Sequence, residues 1–305
     1  MNARHITIVT VLFVLAVPLR GFAQTDAALQ LYASLSDEQR KDATLPFDSP
    51  ERNKEVFTGG KRAGVQIRTL DEKQQKLALD MLTSFCSDYG KQKALAITEQ
   101  KPDNPDDQPG FGRYYVCFFG DVGAGKTYAW RIAEHHLTIV QVEIEKGEPK
   151  TFGPILLGAN PPTLWNDEED KMIDLFAKMS PDERQKSANP GKGISSTDVY
   201  GKTVRVGDLN PSAKEAAKAV FDIRLKFFAD PIQERVKKIV DAQGGLDAMN
   251  IAFYGGEATK RCRDGGRWDF KMGGAGFLCD YENSRAHIHL SMKTPLKAVS
   301  PAEKK

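Results

Sequence analysis

The residues with the clearest chemical potential are four histidines that fall into two pairs. His135 and His136 lie within the apolar run 128–144, and His287 and His289 lie within a second apolar run near the C-terminus. Alternate residues of a β-strand point to the same face, about 6.5–7 Å apart, so His287 and His289 are expected to converge on one ligand. If the two strands are neighbours, the pairs form one imidazole cluster.

The hydrophobic alternation of run 128–144 indicates which histidine of the first pair joins the second pair. When the run is interpreted as one long strand, His136 shares a mostly apolar, inward face, whereas His135 shares a more polar face. We therefore predict a metal site made by His136, His287 and His289. His135 is expected to lie behind this site or to act as an acid or base.

Three neutral imidazoles with one open position suit a divalent metal such as zinc, iron, copper or manganese. Such a site lowers the pKa of a bound water or holds a redox metal. A carboxylate could complete or serve the site, and the candidates are Glu134, Asp280 and Glu282. The residues predicted to take part in catalysis are His135, Glu134, Asp280 and Tyr254. The alternative is that each histidine is an ordinary hydrogen-bonded core residue.

A second motif, Gly120–Thr127, matches the phosphate-binding loop pattern G-x-x-x-x-G-K-T and follows a predicted strand. In a true phosphate-binding loop, backbone N–H groups cradle the phosphates at the start of a helix. The residues that follow here are β-branched and aromatic, which is typical of a strand. The motif is therefore predicted to be a Gly-rich hairpin turn, with a nucleotide site as the alternative.

Residues 1–23 have the composition of a secretory signal peptide. Arg4 supplies a basic start, residues 6–17 form an apolar stretch, and residues 21–23 form a small-x-small cleavage site. The apolar stretch is too short to span a bilayer comfortably. We therefore expect a secreted or periplasmic protein with no stable membrane span after processing.

The charge balance excludes some classes of partner. The net charge is +2, and the predicted signal peptide carries two arginines and no acid, so the rest of the chain is formally neutral. With no basic stripe and no cationic helix, neither nucleic acid nor a membrane surface is an expected partner. The expected partner is a small molecule or a metal ion, and the oligomeric state is left open.

The four cysteines, Cys86, Cys117, Cys262 and Cys279, all remain after the predicted processing. Outside the cytoplasm they allow two disulfides, and the favoured pairing joins Cys262 to Cys279 across a Gly-rich turn. The alternative is four buried free thiols. The absence of Cys-x-x-Cys spacing disfavours a zinc site made of thiolates.

The order of elements predicts an α+β fold in a single domain over residues 24–305, with a central antiparallel or mixed sheet flanked by helices. Residues 25–100 are mainly helical, and a capping box at Ser36 indicates two helices near the start. No internal repeat is evident. Helices are also expected at 70–89, 166–179, from Ser180, at 211–228 and at 231–241, and strands at 114–119, 128–144, 250–254, 276–281 and 286–292.

These blocks resemble the family called domain of unknown function 3500. In that family a glycine often stands where this chain has Glu134, and the turn at Gly120–Thr127 usually lacks the Lys-Thr ending. The resemblance implies a single domain, often exported, whose signature residues include both histidine pairs; it implies no reaction. It extends over nearly all of the chain after residue 23 and is carried by Leu35–Arg40, Tyr114–Gly120, Trp130–Thr138, Gly158–Pro161, Phe253–Gly256 and Gly276–His289.

Together these features predict an exported, metal-dependent enzyme. It would be either a hydrolase that uses a metal-bound water or an oxidoreductase that uses a redox metal. One alternative is a non-enzymatic secreted protein that binds a metal or another ligand through the same histidines. The other is a nucleotide-binding protein that uses Gly120–Thr127.

Overall fold

We describe residues 23–102, 107–146, 150–193, 199–274, 276–284 and 287–294 of a computed structural model. The predicted signal peptide, residues 1–23, lies outside these ranges apart from Ala23. Within them, no helix is long and apolar enough to cross a membrane.

The helices begin where the sequence carries capping residues. A side-chain oxygen caps the N-terminus of a helix at Ser36, Asp71 and Ser180. In each case the side chain of the Gln or Glu three residues later accepts a hydrogen bond from the backbone N–H of the capping residue. The helix predicted over 70–89 is two helices, because Ser87 starts a new one directly after a break at Cys86. The helices are α1 (Ala23–Ser34), α2 (Asp37–Ala43), α3 (Glu72–Phe85), α4 (Asp88–Thr98), α5 (Asn166–Lys178), α6 (Pro181–Ser187), α7 (Pro211–Leu225) and α8 (Asp230–Asp241).

One mixed sheet holds the twelve strands of the described part, in the order β1-β3-β4-β5-β6-β12-β11-β10-β9-β7, with β2 beside β3 and β8 beside β9. Only the pairs β1–β3 and β7–β9 are parallel within this part. The predicted α+β fold is confirmed. The strands are β1 (Thr44–Leu45), β2 (Val65–Gln66), β3 (Tyr115–Gly120), β4 (Tyr128–Glu134), β5 (Leu137–Glu143), β6 (Ile155–Ala159), β7 (Ala188–Asn189), β8 (Val204–Arg205), β9 (Asn250–Tyr254), β10 (Asp269–Gly274), β11 (Phe277–Ser284) and β12 (His287–Lys293).

The chain folds as two copies of one arrangement. The first half, α1-α2-β1-β2-α3-α4-β3-β4-β5-β6, has the same order of elements as the second half, α5-α6-β7-β8-α7-α8-β9-β10-β11-β12. The sheet order reads the same from either edge, and the halves meet where β6 pairs antiparallel with β12. The two linkers between paired helices also meet, through a bridge between Cys86 and Phe228. The expectation of no internal repeat is therefore wrong.

Strand register is the same in both halves. Val65 of β2 lies opposite Val116 of β3, and Val204 of β8 lies opposite Ile251 of β9. Few side chains are identical at equivalent positions. Strand pairing and the apolar pattern preserve the arrangement, and many combinations of side chains satisfy both.

The two faces of the sheet differ in character. On β12, Ile288 and Leu290 join one apolar core with the helices. His289 and Ser291 alternate with them and point to the opposite face. Segments without regular helices cover part of that face: the Val56 N–H donates to Thr138 Oγ1 at 3.1 Å, and the Gly193 N–H donates to an Asp269 carboxylate at 2.7 Å.

The single strand predicted over 128–144 is wrong. It is a hairpin of β4 and β5 in which Glu134 pairs with Leu137, so His135 and His136 form a two-residue turn. The turn carries no glycine or asparagine, and His136 adopts a left-handed backbone with φ of 65°. Among non-glycine residues, histidine is one of the few enriched in this conformation.

All four cysteines are buried thiols outside any disulfide, so the predicted pairing of Cys262 with Cys279 does not form. Cys262 Sγ contacts the Asn283 side chain at 3.2 Å, and Asn283 lies four residues along β11 from Cys279. Four residues of extended strand span about 13 Å, well beyond the separation of about 7 Å that a disulfide tolerates.

Candidate metal centre

His136 reaches the central strands from the turn between β4 and β5. Its backbone C=O accepts a hydrogen bond from the Gly158 N–H at 2.7 Å. A Cβ added at Gly158 would lie 2.5 Å from His136 Cδ2, so a glycine is required for the ring to rest on β6. His136 is the one non-glycine residue with positive φ in the described part of the chain. Such strain is typical of functional sites.

His287 and His289 meet that ring from the neighbouring strand. His289 lies opposite Gly158 in the pairing of β12 with β6. The ring centroid of His136 is 5.4 Å from that of His287 and 5.4 Å from that of His289, and the latter two are 4.8 Å apart. The structure therefore brings together the three predicted ligands, which we call the imidazole triad.

Hydrogen bonds orient two rings of the triad so that the same nitrogen of each is left for a ligand. His136 Nδ1 is 3.1 Å from Gln100 Oε1, and His289 Nδ1 is 3.2 Å from Glu282 Oε2. Gln100 Oε1 also accepts the Asn160 N–H, which identifies it as the oxygen of the amide. Both Nδ1 atoms therefore carry the proton. The Nε2 atoms of His136 and His289 are buried and have no hydrogen-bond partner.

The protonation state of His136 also suits a metal ligand. Burial, followed by the neighbouring His135, His289 and His287 and by Arg113, lowers the pKa of His136 to about 2. The ring is therefore neutral in neutral solution, and only a neutral imidazole binds a metal ion.

The separation of the ligand atoms is close to that of a three-histidine site. One nitrogen from each member of the triad lies within 4.8 Å of the others. Three nitrogens bound to one tetrahedral ion at about 2.0–2.1 Å are about 3.4 Å apart. Ring rotations of the kind that side chains make on binding a ligand would bring the atoms to that distance. The triad could therefore hold one metal ion.

The other predicted site residues have different surroundings. The ring of His135 lies against that of His136, with centroids 3.7 Å apart and the ring planes tilted by 40°. Glu134 is engaged by the Arg113 guanidinium at 3.1 Å and by the Gly60 N–H at 3.1 Å. Tyr254 donates to the Tyr200 carbonyl at 2.8 Å and lies on β9, three strands away from β12, so the sheet keeps it apart from the triad.

Asp280 belongs to a charged network that continues from the triad along β12. Its Oδ2 accepts hydrogen bonds from Ser291 Oγ at 3.1 Å and from Lys271 Nζ at 3.4 Å. Lys293 Nζ donates to Glu55 at 2.6 Å in the same region. Burial raises the pKa of Asp280 and that of Glu55, and the neighbouring lysines oppose the rise.

Three residues around the triad were not predicted from the sequence. Gln100 follows α4 in a stretch with no motif, and Phe57 packs edge-on against His289 with ring centroids 5.1 Å apart. Gly158 lay within the Gly-Ala-Asn-Pro turn that carries part of the family resemblance. Of the three residues, only Gly158 lies in a segment that the sequence singles out. Nothing in the sequence indicates that Gly158 contacts His136.

The motif Gly120–Thr127 connects two antiparallel strands, β3 and β4, as the sequence predicts for a hairpin. No helix follows it, and Lys126 pairs with Asp121 at 3.3 Å on the surface. A phosphate-binding loop needs the N-terminus of a helix at this place. The geometry gives no support to a nucleotide site.

Comparison with known proteins identifies the chain at the level of a family. A family model described as "Protein of unknown function (DUF3500)" matches residues 22–297. Neither the curated proteins nor the solved structures contain a significant match to the chain.

Proposed function

We propose that this chain, which belongs to the DUF3500 family of proteins of unknown function, is a metal-dependent enzyme whose divalent ion is held by His136, His287 and His289. The observation that carries the proposal is the pair of buried, unpartnered Nε2 atoms of His136 and His289. An unpartnered buried polar atom costs about 1–3 kcal/mol, and coordination to an ion would remove that cost.

The residues around the triad match the support that histidine ligands have in metalloenzymes. Glu282 accepts the Nδ1 proton of His289, and Gln100 accepts that of His136. Such partners fix the tautomer and the orientation of the ring and stabilise the charge that it gains on coordination. An ion held by three imidazoles polarises a bound water or a substrate oxygen, or supplies redox chemistry, according to the metal.

The carboxylates near His289 favour hydrolysis over redox chemistry. Asp280 and Glu282 line a small cavity together with His289. A carboxylate beside an activated water can accept its proton, which is the role of a general base. We therefore propose a hydrolase first and an oxidoreductase second. From the composition of residues 1–23, we further propose that the protein acts outside the cytoplasm, and N-terminal sequencing of exported protein would test this.

Metal content and activity test the proposal together. Protein purified without a histidine tag should contain about one equivalent of a divalent transition metal. The variant His287→Ala/His289→Ala should lose it, whereas the matched control His135→Ala should keep it. The metal-loaded protein should turn over members of a panel of chromogenic esters, amides and phosphate esters, and a chelator should abolish that turnover.

One observation favours a second candidate function, a non-enzymatic metal-binding protein. The cavity beside His289 has room for about one water molecule, which is small for a substrate pocket. In that case the metal would bind stoichiometrically, but the loaded protein would turn over no member of the panel. The two candidates are therefore separated by the activity assay and not by the metal content.

A further inference from the structure

The cavity beside His289 has the size of one small polar group. It lies between the central strands and the segments that cover them, and it has room for about one water molecule. Two of the residues that line it carry a carboxylate and one carries a hydroxyl, and none of them is a lysine or an arginine. The lining residues are Phe57, Leu156, Gly193, Asp280, Glu282, His289 and Ser291.

One carboxylate oxygen of Asp280 accepts hydrogen bonds and the other has no partner. Its side chain is 10% exposed, and Oδ2 is taken by Ser291 and Lys271. Oδ1 is buried with no hydrogen-bond partner. A buried carboxylate oxygen is stabilised by a donor, and a group bound in the cavity that Asp280 lines would be able to supply it.

The first half of the chain has apolar residues at the positions of Asp280 and Glu282. In the hairpin of the first half, Val140 lies opposite Arg131, as Asp280 lies opposite Lys271 in the second half. Two residues further along the same strands, Val142 stands where the second half has Glu282.

Val142 belongs to a small apolar cluster with Cys117, Phe119 and Ala129, on the same face of the sheet. At these two positions the first half therefore has apolar side chains, and its buried Arg131 pairs instead with Glu51. Asp280 and Glu282 are particular to the half in which this face adjoins His289. Lys271 and Ser291 account for Oδ2 of Asp280, so we take the buried Oδ1 that has no partner as the sign of a ligand.

The chemistry of the lining selects the kind of group that fits. A primary ammonium carries three donors and no acceptor, and it is close to water in size. It would give Asp280 Oδ1 its missing donor, on the carboxylate whose Oδ2 is already held by Lys271. A methyl group would leave that oxygen unpartnered, and an anion would be repelled.

We propose that this cavity is an ammonium subsite of the metal centre, so that the substrate is a small primary amine whose other end reaches the ion. Asp280 is the recognition residue and Ser291 completes the subsite, which leaves Glu282, the partner of His289, as the carboxylate that can accept a proton. The inference rests on the proposed metal ion.

Two isosteric hydroxamates test the subsite with the protein loaded with Co²⁺. β-Alanine hydroxamate and butyrohydroxamate share one metal-binding group and differ only in a terminal ammonium or methyl. Titration followed by the cobalt absorption bands should show that the ammonium compound binds about tenfold more tightly or better, as a charge-assisted hydrogen bond provides. In Asp280→Asn the two should bind within about twofold of each other, whereas Asp264→Asn, an exposed control, should keep the preference.

The outcomes are distinguishable. If the protein takes up cobalt and both hydroxamates bind equally, the subsite is refuted and the metal centre stands. If 3-hydroxypropionohydroxamate binds as tightly as the ammonium compound, the cavity recognises a hydroxyl or holds an ordinary water, and the proposal is again refuted. If the protein takes up no cobalt, the proposed function and the subsite both fail.

Discussion

The substitution Glu282→Gln isolates the contribution of one hydrogen bond to metal affinity. Glu282 Oε2 accepts the Nδ1 proton of His289 at 3.2 Å. Glutamine has nearly the same shape and can still accept that proton through its amide oxygen. It lacks the negative charge that stabilises the ring once His289 shares its electrons with a dication. The variant should therefore fold normally and bind the ion less tightly.

The size of the loss follows from the geometry of the contact. Removing the partner of a histidine ligand typically costs about 10–100-fold in metal affinity. The Nδ1–Oε2 distance exceeds the roughly 2.7–2.9 Å of a strong charge-assisted bond, and 29% of the Glu282 side chain is exposed to water that screens its charge. We therefore expect the lower end of the range, about tenfold, which equals about 1.4 kcal/mol.

The assay is a Zn²⁺ titration in competition with a chromophoric chelator of known affinity. Glu38→Gln makes the same chemical change on an exposed surface of α2 and should leave the affinity unchanged. His289→Ala sets the scale for loss of the ligand itself. If Glu282→Gln binds zinc as tightly as the wild type while His289→Ala does not, the orienting role assigned to Glu282 is refuted.

Further predictions concern the packing around the triad and the buried groups. Gly158→Ala should push the His136 ring off β6 and weaken metal binding at least about tenfold. The control Gly123→Ala, whose added Cβ would be 3.3 Å from the flexible Lys126 side chain, should leave the metal affinity unchanged. Equal metal affinity in the two variants would contradict the assigned contact between Gly158 and His136. In metal-free protein, His136 of the unfolded state binds a proton below pH about 6.5, whereas His136 of the folded state binds one only near pH 2. Because the unfolded state binds more protons between these values, the free energy of unfolding should fall as the pH drops from about 6.5 to about 2. In urea titrations, His136→Gln should make the free energy of unfolding depend less steeply on pH. An unchanged pH dependence would contradict the lowered pKa of His136. The four buried thiols should react with a thiol reagent at pH 8 only after unfolding, and fewer than four reactive thiols in unfolded, unreduced protein would indicate a disulfide.

The histidine pairs show how much of the site can be predicted from the sequence. The His-x-His spacing predicts two imidazoles on one face of a strand, and β12 places His287 and His289 in that way. The alternation of a single strand predicts His136 as the third ligand, yet His136 reaches the triad from a hairpin turn. The turn has no glycine, proline or asparagine, which are the usual signals that would separate two strands.

The long-range contacts and the internal repeat could not be predicted from the sequence, for a different reason. Gln100 contacts His136 across 36 positions, and nothing in its neighbours encodes that contact. The two halves share apolar spacing, such as Val65 and Leu70 against Val204 and Leu209, but rarely a whole segment. Helix starts were predicted because a capping box is local, as at Ser36.

The position of the metal ion in a crystal of loaded protein tests the central claim most directly. Anomalous scattering from zinc or cobalt should show one peak at the triad, about 2.0–2.1 Å from one nitrogen each of His136, His287 and His289. In that crystal His136 and His289 should coordinate through Nε2, with their Nδ1 atoms still bonded to Gln100 and Glu282. A peak at any other place, or a triad that stays without metal in protein supplied with excess ion, would contradict the account.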